Sequence, residues 1–181
     1  MELREPRRRR TTLANLPHLR AFLLQGDTQE RPQLLRVGLD MLSKHLLNFV
    51  SRADDLAEAT WFAQLAYRLL KEPRLSRQIN HYAETAYHDL PPSPLVNTPL
   101  FTIPRKLKTV LEEAAAAGPF TDKRGVTSSW LRAAICYVAF VEKKVDIDSI
   151  PKHLFDASQT SRSPLRCGPR LPIIRDSLSH L

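Results

Sequence analysis

Most side chains able to do chemistry in this chain are scattered, with three exceptions. Six histidines are spread over 181 residues, and only His81 and His88 fall on one predicted helix. Their spacing of seven puts them two turns apart on one face, too far to hold one metal ion directly. His81, Glu84 and His88 could be imagined as a ligand set, but a solvated helix face explains them better. There is no C-x-x-C pair, and the five glycines do not cluster into a phosphate-cradling loop. Ser128 and Ser129 precede a predicted helix, where capping explains hydroxyls better than nucleophilic attack. The carboxylate pairs Glu112-Glu113 and Asp146/Asp148 fall on an exposed helix face and in a turn. The sequence therefore gives no catalytic site, metal site or cofactor, and the chain is not expected to be an enzyme. The three exceptions are Arg7, Arg8, Arg9 and Arg10 in a row and Lys123 and Arg124 ahead of Thr127 and Ser128, both suited by charge to a polyanion, and Leu100 with Thr102, which alternate with apolar neighbours.

The third group lies in the most informative stretch, Thr98 to Lys144. Phe101 and Ile103 are apolar at spacing two, with Leu100 and Thr102 between them, as in a half-buried strand. Pro104 stops the strand and can open a helix, since its missing N–H would be unpaired in a first turn anyway. Leu107, Val110, Leu111 and Ala114 follow at helical spacing until Gly118-Pro119. Thr127, Ser128 and Ser129 then offer caps to a second helix containing Trp130, Leu131, Ala134, Ile135 and Val138.

The order strand, P-x-x-L helix, cap and W-L-R-x-A-I helix resembles the ribbon–helix–helix DNA-binding family, of the Arc and MetJ type. A lone strand leaves unpaired backbone groups, so it needs a second copy to pair with. The resemblance implies a two-stranded ribbon on a four-helix base that enters the major groove of double-stranded DNA. Leu100 and Thr102 would face the bases. Phe101, Ile103, Trp130, Leu131 and Ile135 would form a core shared by two chains. Backbone N–H groups near Ser128, with Thr127, Lys123 and Arg124, would grip phosphate, and Arg7 to Arg10 would act as a clamp. Such proteins are small intracellular regulators, repressors or accessory factors of plasmid transfer or partition. That implies a cytoplasmic, nucleoid-associated homodimer.

A second copy is a candidate within the same chain. Residues 11–50 offer a strand at Thr11 to Leu16, Pro17, a short helix with Leu19, Phe22 and Leu23, and a break at Gly26-Asp27. A helix would then open at Pro32 with Leu35, Leu39 and Leu42 on one face. In that alignment Arg36 is equivalent to Arg132. The other reading of this segment is a helical hairpin. Because Ala14 and Asn15 favour neither strand nor burial, inter-chain pairing through Pro99 to Ile103 is the expectation.

The remaining organisation is a basic arm at 1–10, a helical segment at 51–90, a Pro-rich linker at 91–97, the ribbon–helix–helix unit at 98–146, and a largely disordered tail at 147–181. The middle segment starts at Asp54-Asp55, carries a stripe from Leu56 to Leu70, ends at Pro73 and continues as LSRQINHYAETAYHDL. Residues 55–90 are the candidate surface for a protein partner. The fold class is thus mostly α, with ribbon–helix–helix units separated by extra helices. A net charge of +8 and a pI near 9.9 favour polyanions, and no run approaches a membrane span. Cys136 and Cys167 do not make a disulfide framework. A different class stays open: an all-α viral or complex-assembly adaptor whose basic arm binds nucleic acid. A strand at Pro99 to Ile103 discriminates between the two.

Overall fold

Where helices begin in this chain is set by prolines, by period-two burial and by one capping box. The computed structural model describes residues 10–25, 31–122 and 125–155. Pro17 occupies the first turn of α1 (Pro17–Leu24), as its locked φ permits. Next comes β1 (Pro32–Arg36), in which Leu35 is buried while Leu34 and Arg36 are exposed. Val37 and Leu39 are also buried, extending the alternation into β2 (Leu39–Asp40). Asp40 ends it. Its carboxylate accepts from the Ser43 N–H at 2.7 Å, and the Ser43 hydroxyl accepts from the Asp40 N–H, a reciprocal cap that opens α2 (Met41–Ala53). The chain then forms α3 (Glu58–Lys71) and α4 (Leu75–Tyr82), which continues through a π turn at Ala83–Tyr87.

The second half repeats the order. Short β3 (Leu95–Asn97) leads to β4 (Leu100–Pro104), α5 (Arg105–Ala116) and α6 (Val126–Tyr137), which runs on through a π turn at Val138–Glu142. β1 and β4 pair antiparallel, with Pro32 opposite Pro104, Leu34 opposite Thr102 and Arg36 opposite Leu100. Past a break at Val37 and Gly38, β2 and β3 prolong the pairing, with Leu39 opposite Asn97 and Asp40 opposite Leu95. The helices cross over: α3 packs on β4 and α5, α2 packs on α6, and α5 packs on α6. The fold is therefore mostly helical, six α-helices among the described residues, with a small two-stranded antiparallel sheet.

Several expectations are corrected here. Thr11 to Leu16 is not a strand; Leu13–Asn15 is a 3-10 turn, and Thr11 makes one parallel bridge to Leu56. Nor does Pro32 open a helix. Leu35, Leu39 and Leu42 suit a helix face, but Val37 and Gly38 between them break helical burial and continue the strand's. Residues 11–50 are thus neither a unit starting at Thr11 nor a helical hairpin, and the strand–helix–helix segment spans 32–71. Arg36 and Arg132 are not equivalent: one is exposed on β1, the other buried on α6. The strand at β4 finds its partner inside the chain, so pairing between chains is not what covers its edge. Phe101, Ile103, Trp130, Leu131 and Ile135 pack in the core of a single chain.

The Pro-rich segment is anchored too. The buried Ser93 hydroxyl accepts from the Leu42 N–H at 3.0 Å and donates to the Leu154 carbonyl. Leu154 and Ile150 are themselves buried, so residues 147–155 belong to the fold. The expectations for the tail from 156 onward lie outside the described residues.

Trp130 is the largest fully buried side chain, and Gly118 explains how it fits. A Cβ at Gly118 would lie 2.6 Å from Trp130 Cδ1. The indole Nε1–H donates to Asn80 Oδ1 at 2.7 Å, which fixes the ring and prevents an easy retreat. Gly118→Ala should therefore cost about 1–3 kcal/mol, read as a lower urea midpoint at unchanged slope.

Candidate nucleic-acid interface

Period-two alternation divides the ribbon into two faces. Inward, Leu35 and Ile103 are fully buried, and Phe101 lies half-buried against Phe62 with ring centroids 5.0 Å apart. Outward, Leu34 is 55% exposed and Leu100 is 51% exposed, with Arg36, Pro32 and Thr102 exposed beside them. Leucines in this state are not serving the chain's own core. The expected outward pair, Leu100 and Thr102, is thus joined by Leu34 and Arg36 from the opposite strand. Sequence reasoning passed over those two, although the signal was present: Leu35, Val37 and Leu39 bury at spacing two.

The segments that form this face are basic in sequence. Residues 31–39 and 90–111 contain no Asp or Glu, yet carry Arg31, Arg36, Arg105, Lys106 and Lys108. Arg31, Arg36 and Arg105 are exposed and have no carboxylate partner among the described residues. Lys106 Nζ donates to the Gln25 carbonyl at 2.9 Å, and Lys108 stands 4.0 Å from Glu112. Among the described residues, the densest ion-pair cluster lies elsewhere. Arg68 forks onto both oxygens of Glu142 at 2.7 and 2.6 Å and also donates to Glu72, and these carboxylates hold its guanidinium charged beyond its ordinary range.

The start of α6 braces the ribbon at Gly38. The Gly38 N–H donates to Ser128 Oγ at 2.8 Å, and Arg132 Nη1 donates to the Gly38 carbonyl at 2.6 Å. Arg132 Nη2 reaches Ser129 Oγ at 3.1 Å, and Ser129 in turn donates to Asp122 Oδ2 at 2.7 Å. Ser128 Oγ thus accepts from the ribbon, while the Asp122 carboxylate puts negative charge at a helix start otherwise suited to an anion. Thr127 is half-buried on the same turn. Arg10 is tied down as well, donating to Asn48 and Ser51 at 3.2 Å. Arg7, Arg8, Arg9, Lys123 and Arg124 lie outside the described residues.

Arg132→Met should remove a charged donor from the Gly38 carbonyl while keeping the side chain's bulk. A loss of about 1.5–3 kcal/mol is expected, with faster hydrogen exchange at Val37 and Gly38 than elsewhere in the ribbon.

Among the described residues, no three His, Cys, Asp or Glu side chains are placed to hold a metal ion, and no helix is long and apolar enough to cross a membrane. Within the 55–90 segment, the inner faces of α3 and α4 are taken up by the core. A shallow groove of about 710 Å³ opens beside α4, lined by Arg74, Arg77, His81, Tyr82, Tyr137 and Val141. Set against known protein families, curated proteins and solved structures, the chain matches none.

Proposed function

We propose that this chain is a sequence-specific binder of double-stranded DNA, with two ribbon–helix–helix units in one polypeptide, at 32–71 and 98–146. The observation that carries the reading is the exposed ribbon face bearing Leu34, Arg36, Leu100 and Thr102 within an acid-free, basic stretch. A two-stranded ribbon fits the major groove, where outward side chains meet base edges. Supporting it is the crosswise packing of α3 on α5 and α2 on α6, which gives the ribbon the base that such a unit needs. The role of the protein is then that of a DNA-bound regulator, either a repressor or an accessory factor of plasmid transfer or partition. The open groove on α4 supports a secondary role in recruiting a protein partner.

The test is fluorescence anisotropy of the full chain with a random-sequence duplex over a salt series. Binding should weaken steeply with salt, and replacing Arg31 and Arg105 with Ala should flatten the log–log slope by about one to two units. No retention of duplex at low salt would sink the proposal.

A further inference from the structure

Resting on that DNA-binding reading, we infer that the ribbon recognises a non-palindromic site, reading guanine and thymine at its Arg36/Leu100 end and only gripping phosphate at its Pro32/Pro104 end. The register centres the β1–β4 pairing on Leu34 opposite Thr102. Turning one strand onto the other about that centre exchanges Leu34 with Thr102, Arg36 with Pro104 and Pro32 with Leu100. No outward position keeps its side chain under this exchange, and Arg36 gives way to a proline with no charge or donor. A ribbon made from two copies of one strand would present matched ends to a palindrome; this one cannot.

The two ends differ in what they can read. Arg36 carries a guanidinium fork, which pairs with O6 and N7 of guanine, and Leu100 directly opposite offers an apolar surface to the 5-methyl group of thymine. Cross-strand neighbours lie about 5 Å apart, so these two meet adjacent bases. One row further, Leu34 and Thr102 add another isobutyl group and a methyl with a hydroxyl. The third row is Pro32 opposite Pro104, which has no side-chain donor or acceptor. Arg31 and Arg105 flank that row as exposed cations fit for phosphate. Two rows span roughly 7 Å along the strands, so direct reading covers about two to three base pairs at 3.4 Å each.

The experiment selects sites for the full chain from a random duplex library, then measures affinity for the selected site with each thymine changed to uracil, which removes only the 5-methyl group. An asymmetric core with guanine next to thymine is expected. Each contacted methyl should be worth about fourfold in affinity, the value of one buried methyl-sized group. Leu100→Ala and Leu34→Ala, both at exposed positions, should abolish the uracil penalty at their own thymines. Arg36→Ala should relax the preference for guanine alone. A palindromic consensus, or uracil substitution without effect on a tightly bound site, would overturn the inference while leaving the DNA-binding reading intact. Failure to enrich any duplex, together with no salt-sensitive binding, would overturn both.

Discussion

Ile103→Asp should leave the chain unfolded in buffer. Ile103 is 1% exposed on β4, between the ribbon and the helices beneath it. The substitution removes a buried aliphatic side chain, worth about 1.5–3 kcal/mol, and asks a carboxylate to sit without a partner, which costs several more. Against a total stability of roughly 5–15 kcal/mol, that sum removes most or all of the folded population. Far-UV circular dichroism should lose its helical signal, and duplex binding should fall to that of an unstructured basic chain. Ile103→Val, the matched control, should cost only about 0.5–1.5 kcal/mol. Because β4 pairs with β1 of the same chain, the unaltered protein should sediment as a monomer at concentrations where it binds DNA. A folded Ile103→Asp protein that still bound its site would rule out the ribbon as the organising element.

Trp130→Ala is expected to be the next most damaging change, at about 3–5 kcal/mol. The indole is fully buried, fills the space left by Gly118, and gives its only N–H to Asn80. Removing it opens a cavity and leaves the Asn80 carbonyl without this donor. Trp130→Phe should be milder, and combining it with Gly118→Ala should cost less than the sum of the two, because the smaller ring no longer meets the added Cβ. Strict additivity in urea denaturation would mean that the close approach does not govern the packing there.

The second half of the chain was largely legible in the sequence because its signals agree. Phe101 and Ile103 bury at spacing two, Pro104 ends the strand, and helical spacing resumes at Leu107, so one reading satisfies every cue. The first half was misread because its cues compete. Leu35, Leu39 and Leu42 satisfy a helix period, while Leu35, Val37 and Leu39 satisfy a strand period, and Pro32 opens either element. Tertiary pairing with β4, more than sixty residues away, settles that competition in favour of the strand. The same ambiguity hid Leu34 and Arg36, half of the candidate interface. The bracing of Gly38 by Ser128 and Arg132 was equally out of reach, since residues ninety or more positions apart meet only once the fold is formed. The Asp40–Ser43 cap, by contrast, was a local signal available in LDMLS and would have moved the helix start to Met41.

The long separation between β1 and β4 also has a consequence for the protein as it is made. β1 leaves the ribosome some sixty residues before the strand that will pair with it. At about 5–20 residues per second, the newborn chain spends several seconds with that edge unsatisfied. Strand edges of this kind invite joining with other nascent chains, and prolines and cations are what discourages it. Pro32 at the strand's first position, Arg31 before it and Arg36 at its end are placed to keep neighbouring polypeptides apart during that interval. Side chains that later face a ligand would first serve as guards against aggregation, so changes there should be judged by soluble yield from the translating cell as well as by affinity.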